Sequence, residues 1–384
     1  MELNFDEIRS FRSDEIPGKL EQLSKEEAFL KLVGTLFPMT PKDQLEQKIL
    51  GFRTTDDIQK EMVYPFLKFI EANMTKGVDL NGLENIDVNQ QYLFISNHRD
   101  IVLDSAFFAV KLLDNSLETV EIAMGDNLLI VPWIEQFVRI NKSFIVQRGL
   151  SAREVLESSI RLSAYLRYVL HEKKNSLWIA QREGRAKDSD DRTQESLLKM
   201  FNLGGTKDNL IENLKELNIC PLSISYEYDP CDYLKAREFQ QKRDDPDHKK
   251  TPGDDLYSMK TGVMGYKGKV SYHITPCIND ELDKIAAKTT VRNEQIELIA
   301  QLIDKRIHAN YRIAQNNKIA YDLISEDKLF AEEYAEEEKE KFVAYIEEQI
   351  EKVDVENKDE DYLRKVLYGM YANPLKNHLV AIGK

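Results

Sequence analysis

The middle of the chain alternates between two textures, and that alternation limits the available folds more than any other feature. Short runs rich in β-branched and aromatic residues occur at Tyr92 to Ser96, Thr119 to Ala123, Ser143 to Val146, Ser176 to Ala180, Cys220 to Tyr226 and Lys269 to Thr275, with helix-like segments between them. Parallel strands need long crossovers, usually helical, so the pattern predicts an α/β fold: a mixed, largely parallel sheet flanked by helices over residues 89–280. Residues 1–88 read as an N-terminal helical cap. Phe29, Leu30, Leu32, Val33 and Leu36, then Tyr64, Phe66, Leu67, Phe69 and Ile70, recur at helical spacing. Residues 281–384 return to helix, where Phe342, Tyr345, Ile346, Ile350 and Val353 form one narrow apolar stripe on an acidic background. Between the last two strands, residues 230–265 are strongly polar around QQKRDDPDHKKTPGDD and read as a long surface loop.

Composition narrows the function classes. A chain of 384 residues with 42% hydrophobic and 31% charged residues can bury a large core. A net charge of -14 argues against a nucleic-acid partner, which needs a basic surface to neutralise phosphates. No run approaches the roughly 18 to 20 apolar residues that cross a bilayer. The first residues, MELNFDEIRS, are charged without an apolar core, so a cytoplasmic location is expected. Cys220, Cys231 and Cys277 show no paired spacing and predict neither a disulfide framework nor a metal site.

The most informative stretch is YLFISNHRDIVLDSAFFAVKLL, residues 92–113: an apolar strand, a polar turn, then an apolar helix. Asp104 stands early in that greasy helix, and a carboxylate buried there needs a partner. His98 on the preceding turn is the nearest candidate. An imidazole held by a carboxylate keeps one tautomer and offers its other nitrogen to take a proton from a hydroxyl. Asp100 and Asp104 are four residues apart and share a helix face, so either could reach the ring. Asp100 also sits where a helix N-cap belongs.

The kinase reading of His98-Arg99-Asp100 fails, because Ile101 to Asp104 replace the required lysine and asparagine, and no D-F-G or glycine-rich loop is present. GVMGYKGK at 262–269 has the wrong spacing for a phosphate-binding P-loop, and neither G-x-S-x-G nor H-E-x-x-H occurs. DSDD at 188–191 lacks the glycine and final glutamate of a calcium loop.

These residues resemble the glycerophosphate and lysophosphatidate acyltransferases, whose first motif is N-H-x-x-x-x-D. Asn97 and His98 match, and Asp104 follows after five residues rather than four, a spacing similar to that of ornithine-lipid and hemolysin-like relatives. GLENI at 82–86 resembles the lead-in to that motif. NLLIVPWIEQFVRINKSFIVQRG at 127–149 resembles the second block, with Arg148 at its arginine and Asp126 where a basic residue is usual. SLWIAQREGRAKD at 176–188 resembles the third, with Glu183 and Gly184 in place and Arg185 one residue early. LLKMFNLGG followed by CPLSISYE resembles the fourth, with Pro221 opening its strand.

The resemblance implies an acyltransferase that moves a fatty acyl group from acyl-carrier protein or acyl-CoA to a hydroxyl of glycerol 3-phosphate or a lysophospholipid. It implies no cofactor beyond that cosubstrate and no metal. His98 would be the general base, with Asp104 or Asp100 beside it and turn amides receiving the oxyanion. Arg99, Arg148, Arg182, Arg185 and Lys187 would supply cations for a phosphate-bearing acceptor, with Glu183 and Gly184 at the same turn. Such a protein would touch the inner face of the cell membrane peripherally, through residues around Val131, Pro132 and Trp133. Two other readings stay open: acylation of an amine, as in ornithine-lipid synthesis, and a catalytically idle lipid-binding scaffold.

Overall fold

The computed structural model describes residues 4–37 and 40–384. Its centre is a seven-stranded sheet made of β1 (Val78–Asn81), β2 (Leu93–Ser96), β3 (Glu121–Gly125), β4 (Ser143–Val146), β5 (Leu177–Ala180), β6 (Ile219–Tyr226) and β7 (Val270–Ile274). The order across the sheet is β1-β7-β6-β2-β5-β3-β4. Every pairing is parallel except β6 with β7. The mixed, largely parallel α/β layer read from the sequence is therefore the fold.

Side chains alternate across the sheet with the two-residue period of a strand. Leu93, Ile95, Leu177 and Ile179 join one core, shared with helices Ala152–His171, Glu195–Leu203 and Arg292–Ala309. Phe94, Trp178, Leu222 and Tyr272 join the other, against helices Tyr64–Met74 and Leu103–Asp114. Central β2 is buried at every position, as expected of a strand covered on both faces.

Helices Ile16–Leu23, Glu27–Leu36 and Lys42–Gly51 form a separate apolar cluster around Phe29, Leu30 and Val33, closed by Ile140 and partly by Trp133. Leu32 and Phe69, counted with the buried faces on spacing alone, lie on the exposed sides of their helices, and the Leu36 side chain lies outside the described residues. The stripe Phe342, Ile346, Ile350 and Val353 packs with Leu363, Leu367 and Tyr371 in a C-terminal cluster. No helix among the described residues is long and apolar enough to cross a membrane.

Two boundaries need correction. The helical cap assigned to 1–88 also supplies β1, whose residues 78–81 pair in register with 270–273 of β7. The polar stretch 230–265 is not a loop: it holds helices Asp232–Asp244 and Pro252–Met264. The first carries its charges inward, burying Asp232, Lys235 and Glu238 against charged and hydroxyl partners, so an apolar stripe was never its signature. The second opens with a capping box in which Thr251 and Asp254 satisfy each other's end.

Candidate active site

β2 stops at Ser96 and its neighbour β5 at Ala180, with β3 and β4 alongside, so the turns following all four strands meet at one edge of the sheet. That edge is where open α/β sheets place ligands. Asn97 is fully buried and extends the β2 ladder by one step with its side chain: Nδ2 donates to the carbonyl of Ile224 and Oδ1 accepts its amide, both at 2.8 Å. On the other side, Trp178 Nε1 donates to Ser96 Oγ at 3.1 Å, and its indole meets the His98 ring edge-on, centroids 6.0 Å apart. The turn that carries His98 is thus fixed from both neighbouring strands.

His98 Nδ1 lies 2.8 Å from Asp104 Oδ2. The same oxygen accepts the backbone amides of Arg99 at 2.6 Å and Asp100 at 3.0 Å. An oxygen engaged by donors acts as acceptor, so Nδ1 carries the hydrogen and Nε2 keeps a lone pair. Asp100 turns the other way. Its Oδ1 accepts the amides of Val102 at 2.9 Å and Leu103 at 2.8 Å, the first free donors of helix Leu103–Asp114. Burial and the neighbouring Asp104 push its carboxyl above the ordinary range. Of the two candidates, the structure gives the ring Asp104 and the helix end Asp100.

His98 lines a cavity of about 390 Å³ over this edge of the sheet. Its interior is largely apolar, with Ile122, Met124, Leu162, Ile179, Leu197 and Met200 among the walls. Arg148, Arg182, Glu183 and Gly184 line it too. Gly184 has φ +69°, a left-handed turn that glycine adopts without steric cost. Arg148 lies 3.5 Å from the exposed carboxylate of Glu183. Arg182 makes no ion pair among the described residues, though its charge acts on the buried carboxylate of Asp191.

Arg99, Arg185 and Lys187 do not line this cavity. Arg99 turns behind the His98 turn to a buried partner, Asp191, with Nη2 2.9 Å from Oδ2. Lys187 pairs with Glu238 of helix Asp232–Asp244. Arg185 lines a small cleft with Lys235 and Glu238. The turn amides expected to receive an oxyanion are also engaged, those of residues 99 and 100 by Asp104 and those of 102 and 103 by Asp100. Trp133, placed by the sequence at a membrane, packs on Phe29 with ring centroids 5.9 Å apart. Sequence reasoning missed Trp178, Gly125 and Asp191. Only Gly125, a glycine ending an apolar strand, carried a local signal.

A family model described as Acyltransferase matches residues 77–225, the span that holds His98, Asp104, Arg148 and Arg182. Comparison with curated proteins finds no match. Among solved structures, the 1-acyl-sn-glycerophosphate (LPA) acyltransferase PlsC from Thermotoga maritima is similar over 78% of this chain and 99% of that chain, at 11% identity and a TM-score of 0.36. A likeness that distant carries no argument about the site.

Proposed function

We propose, from the premise that this chain is a member of the acyltransferase family through its residues 77–225, that it moves a fatty acyl group from acyl-CoA or acyl-carrier protein to a hydroxyl of glycerol 3-phosphate or a lysophospholipid. The observation that carries this reading is the His98–Asp104 pair opening onto a largely apolar cavity with two arginines in its lining.

In this mechanism, Nε2 of His98 takes the proton of the acceptor hydroxyl as its oxygen attacks the thioester carbonyl carbon. Asp104 steadies the imidazolium. The tetrahedral intermediate collapses by breaking the carbon–sulfur bond, and the thiolate leaves with the proton that the imidazolium returns. General-base help of this kind is worth about 10²- to 10⁴-fold in rate. The apolar walls suit an acyl chain, and Arg148 and Arg182 suit phosphate oxygens. Membrane contact fits the exposed Ile130, Val155 and Leu156, of which Val155 also lines the cavity, better than the packed Trp133.

The test is thioester consumption by the purified full chain with a panel of hydroxyl and amine acceptors, wild type against His98→Ala. Turnover with a phosphate-bearing alcohol, lost in the variant, supports the reading. Equal consumption by both proteins, or none by either, rejects it.

A further inference from the structure

Behind the His98 turn lies a second, much smaller chamber of about 30 Å³, lined by Arg99, Asp229, Tyr226 and Tyr311. That is room for water and not for a substrate. Arg99 enters it and meets Asp191, which is fully buried. The guanidinium lies 5.6 Å from the ring centre of Tyr311, whose hydroxyl donates to Asp191 Oδ2 at 3.3 Å. His308 Nε2 donates to the Asp191 carbonyl at 2.9 Å. Asn377 and Asn373 of helix Glu360–Ala381 donate to Asp190 Oδ1 at 3.0 Å and to the Asp188 carbonyl at 2.8 Å. The segment after β5 is therefore gripped by helices from the end of the chain, outside the span that matches the family. Arg99, the residue next to His98, connects that grip to the His98 turn.

We propose that the buried Arg99–Asp191 pair is a positioning device: through it the C-terminal helices set the place of the His98 turn and keep the charge beside it neutral. The inference rests on the acyl-transfer reading above. Burial raises the proton affinity of Asp191, and Arg99 and the backbone amide of His98 oppose it. Asp104 and Asp229 face Arg99 as well, and Lys235 donates to the Arg99 carbonyl at 3.3 Å. A buried pair of this kind is weak as a source of stability, since apolar residues of similar volume often serve as well, but losing one partner leaves a buried charge without its nearest counter-ion. Arg99 is accordingly no phosphate ligand.

The experiment uses the full chain with palmitoyl-CoA and lysophosphatidate micelles. Asp191→Asn strands a guanidinium next to His98, so the acid limb of the kcat/KM profile should move down by about one pH unit. Arg99→Met with Asp191→Asn removes both charges. That double variant should fold, return the limb to its wild-type place, and still lose about ten- to a hundredfold in kcat at an unchanged acceptor KM, because the turn is no longer anchored. Hydrogen exchange at residues 98–103 of the double variant should quicken, a readout independent of turnover. Unchanged kcat and exchange in the double variant overturn the proposal, as does Arg99→Met raising acceptor KM while kcat holds, or an acid limb unmoved in Asp191→Asn. If wild type consumes no thioester, the functional reading fails instead, and hydrogen exchange alone decides the anchoring.

Discussion

The guanidinium of Arg148 rests against the α-carbon of Gly125, so close that a Cβ there would stand 2.7 Å from Nε and 2.8 Å from Cζ. The end of β3 is thereby a seat for the cation that follows β4. Gly125→Ala should displace Arg148 from the cavity lining, raising the KM for a phosphate-bearing acceptor about tenfold while leaving kcat within about threefold, since Arg suits phosphate by its fixed fork. Steady-state kinetics with glycerol 3-phosphate or lysophosphatidate measures it. A drop confined to kcat would remove Arg148 from acceptor binding.

His98→Ala should lower kcat about a thousandfold and Asp104→Asn about a hundredfold, both with little change in thioester binding. Asp100→Asn should keep most of the activity. Its Oδ1 serves the amides of Val102 and Leu103, an acceptor that asparagine keeps, so stability should hold as well; Asp100→Ala, which removes it, should cost about 1 kcal/mol of helix capping, read by denaturant unfolding. An inactive Asp100→Asn beside an active Asp104→Asn would reverse the roles.

Gly262 in helix Pro252–Met264 packs on the same turn: a Cβ there would stand 2.0 Å from Asp100 Oδ2. Alanine gains about 1 kcal/mol in helix preference. The clash with a carboxylate tied to the helix end outweighs it, so Gly262→Ala should destabilise the protein by about 1–3 kcal/mol and depress turnover as the turn shifts. A variant as stable and active as wild type would show that the turn yields freely.

Asp232, fully buried, accepts the hydroxyls of Tyr345 and Tyr371 at 2.7 Å each, joining helix Asp232–Asp244 to the C-terminal helices. Burial, with Asp229 nearby, pushes its carboxyl from 3.8 up to about 7. The folded state then holds the proton more tightly than the unfolded one, so the stability it contributes is complete below about pH 4 and is lost as pH rises through about 7. Thermal unfolding from pH 4 to 8 should show a fall in wild type that Asp232→Asn lacks. Parallel curves would place this carboxyl at its ordinary value.

Much of the layer was legible because strands covered on both faces must be apolar: β2, β4, β5 and β6 announce themselves in Leu93 to Ser96 and their counterparts. β1 did not, since at the sheet's edge only Val78 and Leu80 of VDLN are apolar. The His98–Asp104 pair was legible because an acid in an apolar helix demands a donor. The turn of Arg99 away from the cavity was not, since nothing local separates Arg99 from Arg182 and its partner Asp191 comes from a different crossover. Helix Asp232–Asp244 escaped notice because its buried side is charged and satisfied only in three dimensions.

The join between β1 and β7 brings together residues such as Asp79 and Lys269, 190 apart in sequence. A ribosome releases the first partner long before the second, so this seam closes late, and distant pairings of that kind slow folding. A fragment cut where the family match ends would lack β7 altogether. What remains of β6, residues 219–225, would then become a bare, apolar margin, open to other copies of the chain, and such a fragment should precipitate rather than fold.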